Sequence, residues 1–305
     1  PYRADTCQGH RRNGIRQHLS HGGDLMFARP GLCGMGIGRM GLVAASAYAQ
    51  SVIVSQAYDP HYANVSLLLH GDGADNGTVF TDSSPSPKTV TAYGNAKTST
   101  AQSKFGGASL YFDGSGDKAT AAASADFVFG SDDFTLEGWV YITGGQQYAR
   151  MMHFGPFWGS NDAFGINALD DVAPRKITFA SYKLGSSRLC ISTTTVSLNT
   201  WYHVAVTRSA GVFRLFLDGV LEATNSSYVG VAIESSSTNT LAIGSATTTS
   251  GGEDLAGYID DVRITKGVAR YTATFTPPTE AFPNLAPPYA QSVIPEDELR
   301  NAWSA

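Results

Sequence analysis

The chain has 305 residues, of which 42% are hydrophobic and only 15% charged, with 33 glycines and a net charge of −5. This balance is typical of β-rich exterior proteins. It argues against a nucleic-acid-binding surface, because phosphate neutralisation needs clustered Lys and Arg and the 21 basic residues are dispersed. No run reaches the roughly 18 to 20 consecutive apolar residues that a membrane-spanning helix requires. The three cysteines, Cys7, Cys33 and Cys190, are too few for a disulfide framework.

Residues 1–60 are predicted to form an irregular, Gly-rich N-terminal arm that docks on a neighbour. From residue 30 to residue 41 a glycine stands at nearly every second or third position, which is incompatible with a stable helix or a central strand. The run does not match a phosphate-binding loop, because no Lys-Ser or Lys-Thr follows the glycines. An alternative interpretation is a secretory signal that starts at Met26 and is cleaved after Ala49.

The hexapeptide YAQSVI occurs twice, at residues 48–53 and 289–294, on either side of the β-rich region. A repeat this short is not a folding unit of the solenoid or propeller kind. Two interpretations stay open: the copies are similar edge strands, or they are equivalent docking strips that add to neighbouring sheets. On the second interpretation, the arm and a C-terminal strip at residues 284–305 mediate assembly through Tyr48, Gln50, Val52, Tyr289, Gln291 and Val293.

Between residues 61 and 283 the sequence breaks into short strand-like runs separated by Gly, Asp, Asn, Ser and Pro, a pattern that favours a β-sandwich. The run VSLLLH at 65–70 opens it. The run FTLEGWVYI at 134–142 alternates between two faces. We expect one face to meet the opposite sheet; it carries Phe134, Leu136, Val140 and Ile142. We expect the other face to keep aromatic surface available; it carries Thr135, Glu137, Trp139 and Tyr141.

The strongest local signal is a three-strand meander at residues 201–223. The runs WYHVAVTR at 201–208 and VFRLFL at 212–217 are followed by Asp218-Gly219 and then VLEA at 220–223. Asp-Gly between two apolar runs predicts a tight hairpin turn, since both residues tolerate positive φ. Two further strands are predicted from LAIG at 241–244 and GYIDDVRI at 257–264, after which prolines end regular structure.

These motifs, in this order, resemble the laminin-G-like branch of the concanavalin A-like lectin and glucanase superfamily over roughly residues 63 to 283. The resemblance implies an all-β fold, an antiparallel β-sandwich of the jelly-roll type. Two further passages are similar to domains of this kind in tailed-bacteriophage virion proteins: NVSLLLHGDG at 64–73 with TDSS at 81–84, and TKGVARYT at 265–272. In that group the domain sits on fibres, tail components or capsid decorations.

The resemblance also implies one structural Ca²⁺ near the place where the first and last strands meet. The positions that resemble the ligands of the family are Asp82 and Asp261, with Asp260 competing with its neighbour because alternation puts only one of them on a given face unless a bulge intervenes. The alternative is that Asp82 makes an Asx turn and that the Asp pair is solvated.

Catalysis is not expected. Glycan hydrolysis in this superfamily needs two carboxylates flanking the bond, and the Glu-x-Asp-x-Glu strand pattern of the glucanases is missing. The Gly-x-Ser-x-Gly motif of a serine hydrolase is missing too.

Glycan binding is the remaining function that the sequence allows. It needs an aromatic surface with polar groups at its rim. The candidates are Trp139, Tyr141, Tyr148, Trp158, Asn161 and Asp162, with core packing of Trp139 and loop anchoring by Trp158 as the alternative.

The sequence therefore predicts a non-enzymatic structural protein on the exterior of a phage particle. Its predicted partners are other virion proteins, copies of itself in a homo-oligomer and host cell-surface glycans, with no nucleic acid and no membrane span. The alternative is a secreted carbohydrate-binding module or bacterial adhesin.

Overall fold

The computed structural model describes residues 57–156, 160–169, 175–247 and 253–287. All of them belong to one compact unit, Ser55–Ala305. The predicted arm, except its last four residues, and most of the predicted C-terminal strip lie outside the described residues, and so do the predicted assembly residues Tyr48, Gln50, Val52, Tyr289, Gln291 and Val293.

The described chain folds into two antiparallel sheets of eight strands each, with two single-turn 3₁₀ helices at Tyr62–Asn64 and Ala125–Phe127. In the first sheet the strand order is β14-β13-β12-β7-β16-β5-β4, and β1 also pairs with β16. Its strands are β1 (Val65–Leu69), β4 (Lys97–Ser99), β5 (Ser109–Asp113), β7 (Phe134–Gly145), β12 (Trp201–Ser209), β13 (Val212–Leu217), β14 (Val220–Asn225) and β16 (Leu255–Lys266).

The second sheet has the order β11-β10-β9-β8-β15-β6-β3-β2. Its strands are β2 (Val79–Phe80), β3 (Val90–Tyr93), β6 (Lys118–Ser124), β8 (Arg150–Phe154), β9 (Phe164–Asn167), β10 (Thr178–Ser181), β11 (Ser186–Ile191) and β15 (Asn239–Ile243). The expectation of an all-β antiparallel sandwich is confirmed. Within the described ranges, no helix is long and apolar enough to cross a membrane.

The core lies between the sheets, and the alternation of β7 places residues there as predicted. Phe134, Leu136, Val140 and Ile142 are fully buried in it. Facing them on the second sheet, the rings of Phe154 and Phe164 stack with centroids 4.6 Å apart. Aromatic rings bury large apolar areas. Between the sheets, the ring centroid of Phe179 on β10 lies 6.3 Å from that of Phe134 on β7 and 5.6 Å from that of Phe213 on β13.

The predicted meander is confirmed in its strands and in its turn. Strands β12, β13 and β14 pair consecutively. Asp218 and Gly219, between β13 and β14, have φ of 47° and 76°, the double positive φ of a two-residue hairpin turn. A Cβ at Gly219 would stand 2.0 Å from the carbonyl oxygen of Phe275, so only glycine fits this turn.

Residues 267–287, here named the C-terminal strap, cross the outer face of the first sheet. Phe275 donates its backbone N–H to Gly219 at 2.9 Å. The rings of Tyr271 and Phe275 stack at 3.6 Å, and Phe282 is 4% exposed. The strap also meets the beginning of the domain, because the N–H of Asp59 donates to the carbonyl of Leu285 at 2.9 Å.

A buried ionic network fastens the strap and the first residues of the domain to the sheet. Arg263 on β16 donates to Glu137 on β7 at 2.9 Å and to Asp59 at 3.1 Å. Arg270 of the strap donates to both carboxylate oxygens of Asp59 at 2.8 and 2.7 Å. Tyr271 donates its hydroxyl to Glu137 at 2.9 Å. Burial alone would raise the pKa of Glu137, but Arg263 and the other nearby cations outweigh burial and lower it to about 2.

We predict that Arg263→Ala lowers the free energy of unfolding by about 3–5 kcal/mol, because the carboxylate of Glu137 would stay buried without its main counterion. Arg214, which is half-buried and has no carboxylate partner among the described residues, supplies the matched control; its Ala variant should stay within about 0.5 kcal/mol of the wild type. Chemical denaturation of both variants measures the difference. Equal losses for the two would contradict a dominant role for the network.

Candidate functional site

The two outer faces of the sandwich differ in what covers them. The first sheet lies under the C-terminal strap, whereas the second sheet carries an open groove of about 460 Å³ over β3, β6 and β15. We name it the threonine groove. It is lined by Thr89, Thr91, Tyr93, Lys118, Thr120, Ala121, Ala122, Thr240, Leu241 and Thr247.

Strand alternation explains why polar side chains gather in this groove. On β6, Ala119 and Ala121 point into the core, so Lys118 and Thr120 point outward. On β3 the same rule turns Thr91 and Tyr93 outward, since Val90 is buried in the core. Antiparallel pairing then sets Thr91 opposite Thr120 and Tyr93 opposite Lys118. Two rows of outward groups from distant parts of the chain form one surface.

Lys118 is held in place at the end of the groove near Tyr93. Its ammonium donates to the carbonyl of Thr247 at 2.8 Å and lies 5.8 Å from the centre of the Tyr93 ring. Tyr93 is 49% exposed. Across the part of the chain that the structure describes, Lys118 has no carboxylate partner, and no Asp or Glu is among the residues lining the groove. The groove therefore offers an aromatic ring, several hydroxyls and one cation.

The paired residues that lead across the second sheet from Thr120 reach a buried histidine on β8. Thr120 stands opposite Ala242, and Ala242 stands opposite His153 on β8. His153 is fully buried, and neither ring nitrogen has a hydrogen-bond partner among the described residues. Burial, with help from the charges of Arg150 and Lys118, lowers the pKa of His153 to about 3. The imidazole is therefore neutral at neutral pH.

The sequence-predicted aromatic residues of β7 lie on the other sheet. Trp139 does point to the outer face, as the alternation indicated, but it is only 5% exposed. Lys104 covers its ring at 3.8 Å, and Phe105 meets it edge-on at 5.9 Å. Tyr141 is half-buried and packs at 5.5 Å against Trp201. This placement corresponds to the packing alternative for Trp139.

The remaining predicted glycan-binding residues do not join Trp139 and Tyr141. Tyr148 is half-buried in the turn between β7 and β8, with φ of 62°. Asn161 is exposed and Asp162 half-buried in the connection from β8 to β9, on the second sheet. One carboxylate oxygen of Asp162 accepts the backbone N–H groups of Ser235 and Ser236 at 2.8 Å each, which is a loop-fixing role. Trp158 lies outside the described residues.

The first of the predicted calcium ligands, Asp82, has its carboxylate filled by protein donors. One oxygen accepts the N–H groups of Leu68 at 3.0 Å and Ser84 at 2.9 Å. The other accepts the hydroxyl of Ser84 at 3.0 Å and the N–H of Lys88 at 2.7 Å. Two donors on each oxygen leave little room for a metal ion.

The two adjacent acids, Asp260 and Asp261, are brought to one face by a bulge. The register of β16 shifts between Asp260 and Arg263, and Asp261 has φ of 49°. Asp260 accepts the N–H groups of Lys104 and Phe105 on one oxygen, at 2.7 and 3.1 Å, and its other oxygen is buried with no partner in the described part of the chain.

Asp261 is engaged by protein groups on both oxygens. One lies 2.7 Å from Nδ1 of His70, and the other accepts the N–H of Phe282 at 2.7 Å. Within the described ranges no group of three or more His, Cys, Asp or Glu could hold a metal ion. The residues present do not fit the calcium site implied by the resemblance, and calcium binding stays a prediction from the sequence alone.

Sequence reasoning missed the threonine groove, although a signal for it exists. The strings TVTAY at 89–93 and KAT at 118–120 alternate polar and apolar residues, which is the pattern of strands with one open face. The strings are short and lack tryptophan, and their pairing joins segments about 30 residues apart. Only the fold shows that they form one surface.

Two packed antiparallel sheets of eight strands each define an all-β sandwich domain. Residues 112–270, more than half of the chain, match the Concanavalin A-like lectin/glucanases superfamily, and the chain belongs to it. A comparison with curated protein sequences finds no significant match.

Several solved structures are similar to this chain at low sequence identity. Domain 4 of AbnA, a GH43 extracellular arabinanase from Geobacillus stearothermophilus, solved in complex with arabinotriose, has a TM-score of 0.50 at 15% identity and covers 67% of this chain and 93% of its own. The binding domain of botulinum neurotoxin serotype D has a TM-score of 0.47 at 14% identity, covering 68% of this chain and 49% of its own. The binding domain of Paraclostridial Mosquitocidal Protein 1 has a TM-score of 0.47 at 12% identity, covering 68% and 50%. At such identities the likeness concerns the fold alone.

We predict that His153 makes the fold less stable as the pH is lowered. Below about pH 6.5 the unfolded chain binds a proton that the folded protein takes up only near pH 3. The free energy of unfolding should therefore fall through this window by about 1.4 kcal/mol per pH unit from this residue. Chemical denaturation across the window should show a shallower pH slope for His153→Leu than for the wild type. Parallel slopes for wild type and His153→Leu would contradict the assignment.

Proposed function

We propose that this protein is a non-catalytic glycan-binding protein and that the threonine groove holds the saccharide. The observation that carries the proposal is the exposed Tyr93 ring beside outward threonines and a fixed ammonium in a groove of about 460 Å³. A sugar ring presents C–H groups to an aromatic surface and hydroxyls to polar side chains, so the two halves of this surface match the two halves of a sugar. The volume lies within the usual range for ligand sites, about 300–1,000 Å³.

The absence of lining carboxylates favours binding over hydrolysis. Cleavage of a glycosidic bond needs an acid and a second carboxylate roughly 5–10 Å apart across the bond. No Asp or Glu belongs to the described lining of the threonine groove. Glu137, which the alternation of β7 turns outward, is fully buried beneath the strap and paired with Arg263. Membership in a superfamily named for both lectins and glucanases agrees with saccharide recognition, with or without turnover.

The setting we propose is the exterior of a bacteriophage particle, as a fibre, tail or capsid-decoration component. The support is the similarity of residues 64–73, 81–84 and 265–272 to virion proteins. A second support is that the two ends of the described domain and the threonine groove lie on different sheets. Asp59 and Leu285, at these ends, meet over the first sheet, whereas the threonine groove lies on the second. Anchoring through the flanking segments, on other virion proteins or on copies of the chain, would leave the groove facing outward.

We predict that Tyr93→Ala and Thr120→Val each weaken saccharide binding by about tenfold, because each removes roughly one contact worth 1–1.5 kcal/mol. The saccharide is chosen from a glycan array with the wild type, and dissociation constants are measured by calorimetry. Tyr58→Ala, which removes a ring that is 42% exposed, is the matched control and should bind as the wild type does. Wild-type affinity in both groove variants would refute the threonine groove as the binding site.

We predict that antibodies raised against residues 57–287 label intact phage particles in electron micrographs and that the protein co-purifies with them. Recovery only as a free secreted protein, absent from particles, would contradict the virion setting. It would favour the secreted carbohydrate-binding module or adhesin instead, and would leave the groove proposal untouched.

A further inference from the structure

The described lining of the threonine groove carries charge of one sign only. Among the described residues that line it, Lys118 is the single charged side chain, although the chain as a whole has a net charge of −5. The neighbouring cation, Arg150, lies 2.7 Å from Glu253 and is compensated there. An ammonium that lies at the surface without an ion-pair partner attracts an anion.

The nearby carboxylates are occupied with backbone groups and do not reach Lys118. Asp117 precedes it on the chain, but alternation turns Asp117 to the other face, where it accepts the N–H groups of Asn95 and Asp113. Asp254 accepts the N–H of Gly116 at 3.0 Å and the hydroxyl of Ser245 at 2.5 Å. Among the described residues, none of these carboxylates forms an ion pair with Lys118, whose ammonium instead donates to the carbonyl of Thr247.

Lys118 is also oriented for a ligand. One of its three N–H groups is used by the carbonyl of Thr247, which leaves two donors. Across the strands, the side chains of Thr91 and Thr120 start roughly 5 Å apart. If the anionic group of an acidic sugar pairs with the ammonium of Lys118, the rest of the sugar ring lies over Tyr93 and the hydroxyls of Thr91 and Thr120.

We propose that the threonine groove selects acidic saccharides, whose carboxylate or sulfate group pairs with Lys118. This inference rests on the proposed glycan-binding function and specifies its substrate class. The supporting observations are the unpaired, fixed ammonium, the lack of lining carboxylates and the adjacent hydroxyls.

The test compares an acidic ligand with its neutral ester. Calorimetry measures the binding of oligogalacturonate and of its fully methyl-esterified form, with sulfated carrageenan oligosaccharides as a third ligand to separate carboxylate from sulfate. We expect the wild type to bind at least one acidic ligand about tenfold or more tightly than the neutral ester, and the preference to shrink as salt is raised.

Variants assign the preference to Lys118. Lys118→Gln should abolish the preference for the acidic ligand, and Lys118→Arg should retain it. Lys97→Gln is the matched control, because Lys97 also lies over a tyrosine, with its ammonium 5.6 Å from the Tyr111 ring, but on the first sheet; it should keep the full preference. Thermal melting confirms that the variants are folded, and should Lys118→Gln fail to fold, the comparison of acid with ester on the wild type and on Lys118→Arg decides.

The outcomes separate the two proposals. Equal affinity of the wild type for acid and ester, with binding of both lost in Tyr93→Ala, would overturn the acidic preference and leave glycan binding in place. An acidic preference that survives Lys118→Gln would overturn the role of Lys118. No binding to any saccharide on an array, neutral or acidic, would overturn the glycan-binding function itself.

Discussion

The ion pair between Arg263 and Glu137 is the interaction on which the arrangement of the domain depends. Both groups are buried, and buried charges are stable only when each is paired and hydrogen-bonded. The partners that complete the network, Asp59, Arg270 and Tyr271, come from the first described residues and from the strap. The outward polar row of β7 is thereby covered, whereas the outer face of the second sheet keeps its open groove.

The sequence predicted local structure well wherever short-range chemistry decides it. The meander of β12 to β14 follows from apolar runs joined by Asp218-Gly219, and both residues adopt the positive φ that such a turn requires. The faces of β7 follow from alternation. Alternation predicts the face of β7 on which Trp139 lies. It does not predict that Lys104 and Phe105 cover the Trp139 ring, because these contacts join segments that are distant in the sequence.

The site could not be predicted for the same reason. Thr91, Thr120 and Ala242 become neighbours only after three strands from distant parts of the chain pair. The acids at 260 and 261 show a second limit: one bulge, with a positive φ at Asp261, decides that both face the same side. The resemblance to the family pointed to Asp82 and to these two acids, but it carried no information on the protein donors that already occupy both oxygens of Asp82.

The hydrogen bond from Asp59 to Leu285 brings together the two points where the backbone joins the rest of the chain. The attachment points of a β-sandwich closed in this way are about one strand spacing apart. Such a domain can therefore be inserted into a loop of a larger protein without separating the two sides of that loop. Duplication or exchange of such a unit between unrelated hosts would disturb neither the host backbone nor the groove on the opposite side.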